Sequence, residues 1–251
     1  MKMLVISDVH GNLEALRAVL GDAGSYDYVI FLGDVVNYGP SPLEVIDALR
    51  RLSPDVWLQG DHDRAVASKR SKMGVGYSYR EAAELLRSLT RNMLSRNDLA
   101  FLKGLPRISR LEIGSRTLIL AHGSPRDPLY GCIHPWYSER RLERELRPGG
   151  VYLRKNPGEV DAVLVGHTHA PLSRRTSSAT HVFNPGSVGL PGGGDPRASY
   201  AILDLDTLSF EVRRVKYDVG RVLKRLRELM GEGGSYRVLE TTLLTGSYSD
   251  Y

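Results

Sequence analysis

Apolar positions along this chain fall into alternating rhythms that predict strands and helices in turn. Met3 to Ser7 is a short apolar run of the kind that forms a strand buried on both faces, and behind it Leu13, Leu16, Val19 and Leu20 repeat at helical spacing. A second unit follows. Tyr28 to Leu32 reads as a strand ending at Gly33-Asp34, and Ser41-Pro42 supplies an N-cap and a first-turn proline for a helix through about Leu52. Val56 to Gln59 predicts a third strand, which ends at Gly60-Asp61-His62-Asp63. This strand-helix repetition predicts parallel strands. From about residue 64 to 103 the pattern is helical, with Ala82, Leu85, Leu86 and Leu89 on one stripe, and it interrupts the strand rhythm as an excursion. Strands resume at Thr117 to Ala121, before His122-Gly123, and at Ala162 to Val165, before Gly166-His167-Thr168-His169. His181 to Phe183, Tyr200 to Asp204 and Phe210 to Lys216 read as strands of a second sheet. Val219 to Met230 reads as a C-terminal helix, and the tail beyond Gly233 carries no assigned element. No repeat or proline-rich linker marks a boundary, so residues 1–251 are expected to form one domain, two sheets face to face with helices outside.

Composition narrows this picture by exclusion. With 41% hydrophobic and 25% charged residues, the chain matches ordinary globular proteins and not disordered or fibrous ones. The N-terminal apolar run meets Asp8 too soon for a signal-peptide core, and no apolar stretch approaches the length of a membrane span. Cytoplasmic residence without a membrane partner is therefore expected. The single cysteine, Cys132, reads as a loop thiol and excludes a cysteine-rich structural zinc site. A net charge of +5 is modest for this length, and the densest basic stretch, Arg213-Arg214 through Lys224, Arg225 and Arg227, reads as a solvated face. Nucleic acid is accordingly not expected as a partner, and self-association is left open.

The chemistry collects where predicted strands end. Asp8 and His10 are two residues apart just beyond the first strand, a spacing that can turn both side chains to one side. Asp34 follows the second strand, and its two oxygens could bridge a pair of cations; His122, His167 and His169 add imidazoles beyond two later strands. In open α/β sheets that edge is where ligands bind. A mixed oxygen and nitrogen set suits manganese, iron, zinc, cobalt or nickel. Any one of these residues alone reads as a loop cap or a hydrogen-bonded turn residue, whereas the ordered set is far more specific.

Together with Asp34-Val35-Val36-Asn37-Tyr38-Gly39-Pro40, His122-Gly123-Ser124-Pro125-Arg126-Asp127-Pro128 and Asn184-Pro185-Gly186-Ser187-Val188-Gly189, this set resembles the calcineurin-like metallophosphoesterase superfamily, from Asp8 to Tyr200. Its small prokaryotic phosphodiesterases are the most similar branch. The resemblance implies an α/β fold, a four-layer αββα sandwich of two mixed β-sheets flanked by helices. It implies two divalent metal ions, manganese first, one held by Asp8, His10, Asp34 and His169 and the other by Asp34, Asp61, His122 and His167. It further implies hydrolysis of a small, nucleotide-like phosphodiester or phosphomonoester by a hydroxide held between the two metals, with His62, partnered by Asp63, donating to the phosphoryl group or leaving oxygen. Asn37 and Arg126 are the foremost candidates for substrate contacts, ahead of Tyr38, Tyr130 and Arg197. The Asn184-Pro185-Gly186-Ser187 segment is expected to turn beneath the metal loops. One departure stands out: the family usually has asparagine where this chain has Asp61. The competing reading is a metal-binding scaffold on the same fold with little catalysis.

Overall fold

The computed structural model describes residues 1–68, 73, 79–147 and 160–247. Two five-stranded mixed sheets form an αββα sandwich. The first sheet runs β10 (Ser209–Val215), β9 (Ala198–Asp204), β1 (Lys2–Ile6), β2 (Tyr28–Phe31), β3 (Val56–Trp57). The second runs β4 (Ile108–Ile113), β5 (Arg116–Ala121), β6 (Ala162–Leu164), β8 (His181–Asn184), β7 (Leu172–Arg175). Each sheet contains three mutually parallel strands, β1-β2-β3 and β5-β6-β8, completed by antiparallel neighbours.

Period-two alternation explains why the parallel strands read as unbroken apolar runs, since both of their faces are covered. Met3 and Val5 point between the sheets against Ile30, Leu118, Leu120, Leu164 and Phe183. Leu4 and Ile6 point the other way, onto α1 (Leu13–Asp22) and α2 (Pro42–Leu52). On the far side, Ile119, Val163 and Val182 pack under Leu142 of α6 (Glu139–Leu146). Asn12 caps α1 by accepting from the Ala15 N–H at 3.1 Å. Pro42 opens α2 as expected, but the Ser41 hydroxyl makes no capping bond.

Two expectations require correction. First, β9 and β10 belong to the first sheet: β9 lies antiparallel beside β1, pairing Ala201 with Val5, and of the three late strands only β8 joins the second sheet. Residues of β9 are buried almost throughout, so the strand fits a central position, and an apolar pattern carries no information about which sheet supplies the neighbour. Second, Asp61 and His62 do not trail a long third strand. They form the first turn of α3 (Asp61–Ala67), which begins the helical excursion that continues in α4 (Arg80–Met93) and α5 (Arg96–Gly104). Part of the excursion, residues 69–72 and 74–78, lies outside the described residues. The C-terminal helix is present as α7 (Val219–Met230), and the tail adds α8 (Gly234–Thr245). Ala82, Ala83 and Leu86 of α4 pack with Leu226 of α7 and with Leu239 and Leu243 of α8 in a cluster apart from the sandwich.

Candidate metal centre

The C-terminal ends of β1, β2, β5 and β6, with the first turn of α3 behind β3, converge on one spot. The chain reaches it through unusual backbone. Asp8, His10, Asp34, His167 and His169 all hold positive φ, between 48° and 63°. Non-glycine residues visit this left-handed region rarely, and each instance costs on the order of 1–3 kcal/mol and persists only where surrounding structure fixes it. Here a lattice of main-chain bonds does so: the Asp8 N–H donates to Gly33 O, the His10 N–H to Asp34 O, and the Gly166 N–H to His122 O, all at 2.8–2.9 Å. The Asn184 amide donates to Gly166 O and Thr168 Oγ1, and Ser187 Oγ donates to Asp8 O, so this segment does pack beneath the loops. Gly60 is needed for contact: a Cβ there would sit 1.9 Å from Asp34 Oδ1.

Two groups of side chains could each grip a cation: Asp8, His10 and His169, and Asp34, Asp61, His122 and His167. All are buried except His167, which is nearly so. In the first group, His10 Nδ1 is bonded to Val36 O, which places that ring's proton on Nδ1 and leaves Nε2 as a lone pair. That lone pair faces His169 Nε2 at 3.1 Å and Asp8 Oδ1 at 3.9 Å. Asp8 Oδ1 is itself buried, and His169 Nε2 lies 3.2 Å from it. In the second group, His122 Nδ1 donates to Leu32 O at 2.9 Å, which aims Nε2 at Asp61 Oδ1 and Asp34 Oδ2, 3.2 and 3.3 Å away. His167 Nδ1 meets the same Asp61 oxygen at 3.2 Å. Asp34 Oδ2 lies between the groups, 3.8 Å from His10 Nε2 and 3.3 Å from His122 Nε2.

Lone pairs of carboxylate and imidazole aimed at one another in a buried site repel unless a cation or proton sits among them. Protons take that place here. Burial opposes charge on His122, yet Asp34 and Asp61 push its pKa well above the ordinary imidazole range. His167 is likewise raised against burial, to about 10, by Asp61. Burial lifts Asp34 well above the carboxylate range, while at Asp61 burial is overcome by neighbouring imidazoles, the hydrogen bonds of His122 and His167 among them, and its pKa lies well below. His10 is lowered by burial and by its neighbour His169. The donor set, its convergence and its fixed tautomers all fit divalent cations.

Around this centre, the expected partnership of His62 with Asp63 is corrected. Asp63 accepts from the main-chain N–H groups of Asp34, Val35, Val36 and Gly60 at 2.9–3.2 Å, bracing the two loops, and burial raises its pKa to about 6. His62 Nδ1 meets Asn37 Nδ2 instead, at 2.8 Å, while its Nε2 lies 3.9 Å from Asp61 Oδ2. Asn37 is fully buried. Arg126 is exposed, its main-chain N–H donating to Glu145 O. Tyr38 meets His10 edge-on and His62 at a tilt, with ring centroids 5.1 and 4.8 Å apart. Cys132, which reads as a plain loop thiol, faces Tyr130 O at 3.8 Å, and the neighbouring imidazoles of His134 and His167 hold the thiol at about 6 against its burial. No local signal in the sequence announces that contact, because it spans 35 residues of chain.

A sandwich of two mixed sheets that gathers carboxylates and imidazoles at its strand ends, in two adjacent groups that could hold cations, is the architecture of a phosphoesterase. The chain belongs to the calcineurin-like phosphoesterase superfamily, whose domain signature matches residues 1–208. It is 33% identical over 250 residues to the uncharacterised protein MJ0912 of Methanocaldococcus jannaschii, covering 91% of this chain and 95% of that one. It is 28% identical over 219 residues to the phosphodiesterase YfcE of Escherichia coli, covering 83% and 90%. Among solved structures, a metallophosphoesterase from Sphaerobacter thermophilus superposes with a TM-score of 0.76 at 33% identity, over 98% of this chain and 100% of that one. No helix among the described residues is long and apolar enough to cross a membrane.

Proposed function

We propose that this protein hydrolyses a small phosphodiester, with phosphomonoesters as a second substrate class, using two divalent cations of which manganese is the first choice. The observation that carries the reading is the position of Asp34 Oδ2, within 3.8 Å of His10 Nε2 and 3.3 Å of His122 Nε2, from which one carboxylate would serve both cation sites. Asp8, His10, Asp34 and His169 would hold one cation, and Asp34, Asp61, His122 and His167 the other. Bound cations would supply Lewis acidity for the phosphoryl oxygens and activation of a water molecule. The remaining work belongs to the chain. His62 presents Nε2 on the cluster side and donates to the phosphoryl or leaving oxygen, while Asp63 holds the Asp34 and Gly60 loops in register. Arg126, exposed four residues beyond His122, is free to pair with a substrate phosphate.

The test is to strip the protein with chelator, reload it with manganese, and measure metal content alongside turnover of bis(4-nitrophenyl) phosphate and 4-nitrophenyl phosphate. Two cations per chain with cation-dependent diester hydrolysis is expected. Full loading without turnover of either ester identifies a scaffold and overturns the enzymatic reading. His62→Ala is expected to lower turnover by about 10²-fold or more with metal content unchanged.

A further inference from the structure

We infer that Asn37 is a positioning residue that fixes His62 in the tautomer protonated at Nε2, so that His62 serves as a hydrogen-bond donor and not as a proton donor. This rests on the hydrolytic role proposed above. The argument comes from the Asn37 amide, whose two ends are not interchangeable here. Its Oδ1 accepts from the Tyr38 N–H at 3.0 Å, and its Nδ2 faces the Ala83 carbonyl at 3.3 Å and the Met73 sulfur at 3.5 Å. Turning the amide over would set NH2 against an N–H and oxygen against a carbonyl, two mismatches in a residue that is completely buried. The amide nitrogen is therefore the end that meets His62 Nδ1 at 2.8 Å. A nitrogen that receives an N–H donor must offer a lone pair, and the ring's proton must then reside on Nε2, beside Asp61 Oδ2.

The clamp is built from three separate parts of the chain. Asn37 stands at φ 76°, a left-handed conformation that asparagine tolerates better than most residues. Ala83 lies in α4, which clusters with α7 and α8, two helices that lie wholly beyond the portion matched by the family signature. The C-terminal helices thus hold the carbonyl that orients the amide that orients the catalytic imidazole.

A chemical preference follows. As the water oxygen bonds to phosphorus, the bond to the leaving oxygen breaks and that oxygen departs with the electron pair. His62 can stabilise it through Nε2–H, but a second proton on Nδ1 would meet the Asn37 NH2, so the leaving group takes its proton from solvent. Substrates with acidic leaving groups, such as aryl esters and phosphoanhydrides, are favoured over alkyl esters.

Nitrogen-15 correlation spectra of histidine-labelled, zinc-loaded protein, assigned against His62→Gln, read the tautomer directly. An unprotonated Nδ1 and a protonated Nε2 are expected; a proton on Nδ1 overturns the inference. A series of aryl phosphodiesters then compares the wild type with Asn37→Asp, which keeps a residue tolerant of left-handed backbone while accepting a proton from Nδ1. The variant is expected to gain on the poorest leaving groups by about tenfold relative to the best. Parallel dependence on leaving-group acidity, with the variant folded and loaded, also overturns it. Absence of any turnover counts against the hydrolytic role, and the spectra still decide the tautomer.

Discussion

Asp8, His10 and His169 bring one carboxylate and two imidazoles to their shared position, whereas Asp61, His122 and His167 bring one carboxylate wedged between two imidazoles, with one oxygen 3.2 Å from each. Asp34 stands between the two groups. In the first, burial keeps His10 neutral, so a lone pair is ready for a cation. In the second, carboxylates raise His122 and His167, so a cation bound there would have to displace protons. Residues of the same kinds, a few ångströms apart, thus differ in which imidazoles carry a proton that a cation would have to displace.

The sharpest break in that comparison is Asp34→Ala. Removing the shared oxygen should empty both groups and lower turnover by at least about 10³-fold, whereas Asp8→Ala should leave a cation on the second group. Metal analysis of the two variants distinguishes them; two cations retained per chain in Asp34→Ala would show that the groups do not share a ligand. Next in size is stability. At a hundredfold excess over the dissociation constant each cation should stabilise the fold by about 2.7 kcal/mol, so calorimetric melting in chelator should fall well below melting in manganese.

Acidity separates the groups further. His167 is raised in the folded state from 6.5 to about 10, so its contribution to the metal-free fold is complete below 6.5 and is lost as pH rises through 10. The melting temperature of metal-free protein should therefore decline across that window, and His167→Asn should flatten the decline. Cation uptake near neutral pH should release protons, chiefly from the second group, as measured by calorimetry in buffers of different ionisation enthalpy. Asp61→Asn has the smallest expected effect. It removes one negative charge from the centre, and turnover of dianionic monoesters should rise about threefold relative to monoanionic diesters. An unchanged ratio would show that Asp61 does not tune charge.

Elements became legible in proportion to how fully they are buried. β1, β2, β5 and β6 announce themselves because both faces are covered, whereas β4 and β7 are half-exposed edge strands with arginines that blur the alternation. Helix α6 hides because its core contact rests mainly on Leu142 amid charged residues, and α8 because glycines open it and no side chain caps it. β9 was readable as a strand but not as a neighbour of β1, since pairing joins residues nearly 200 positions apart.

The linear order of residues determined the inventory of the centre: which carboxylates and imidazoles exist, and that they follow apolar strands whose parallel arrangement brings their ends to one edge. Only the tertiary structure decided what each of them faces. Left-handed backbone at Asp8, His10 and His169, the assignment of Asn37 rather than Asp63 to His62, and the thiol of Cys132 beside His167 all depend on contacts between distant segments. Local pattern reports burial and period, which act over a few residues; hydrogen-bond partners and charge balance are set by whatever the rest of the chain folds against them.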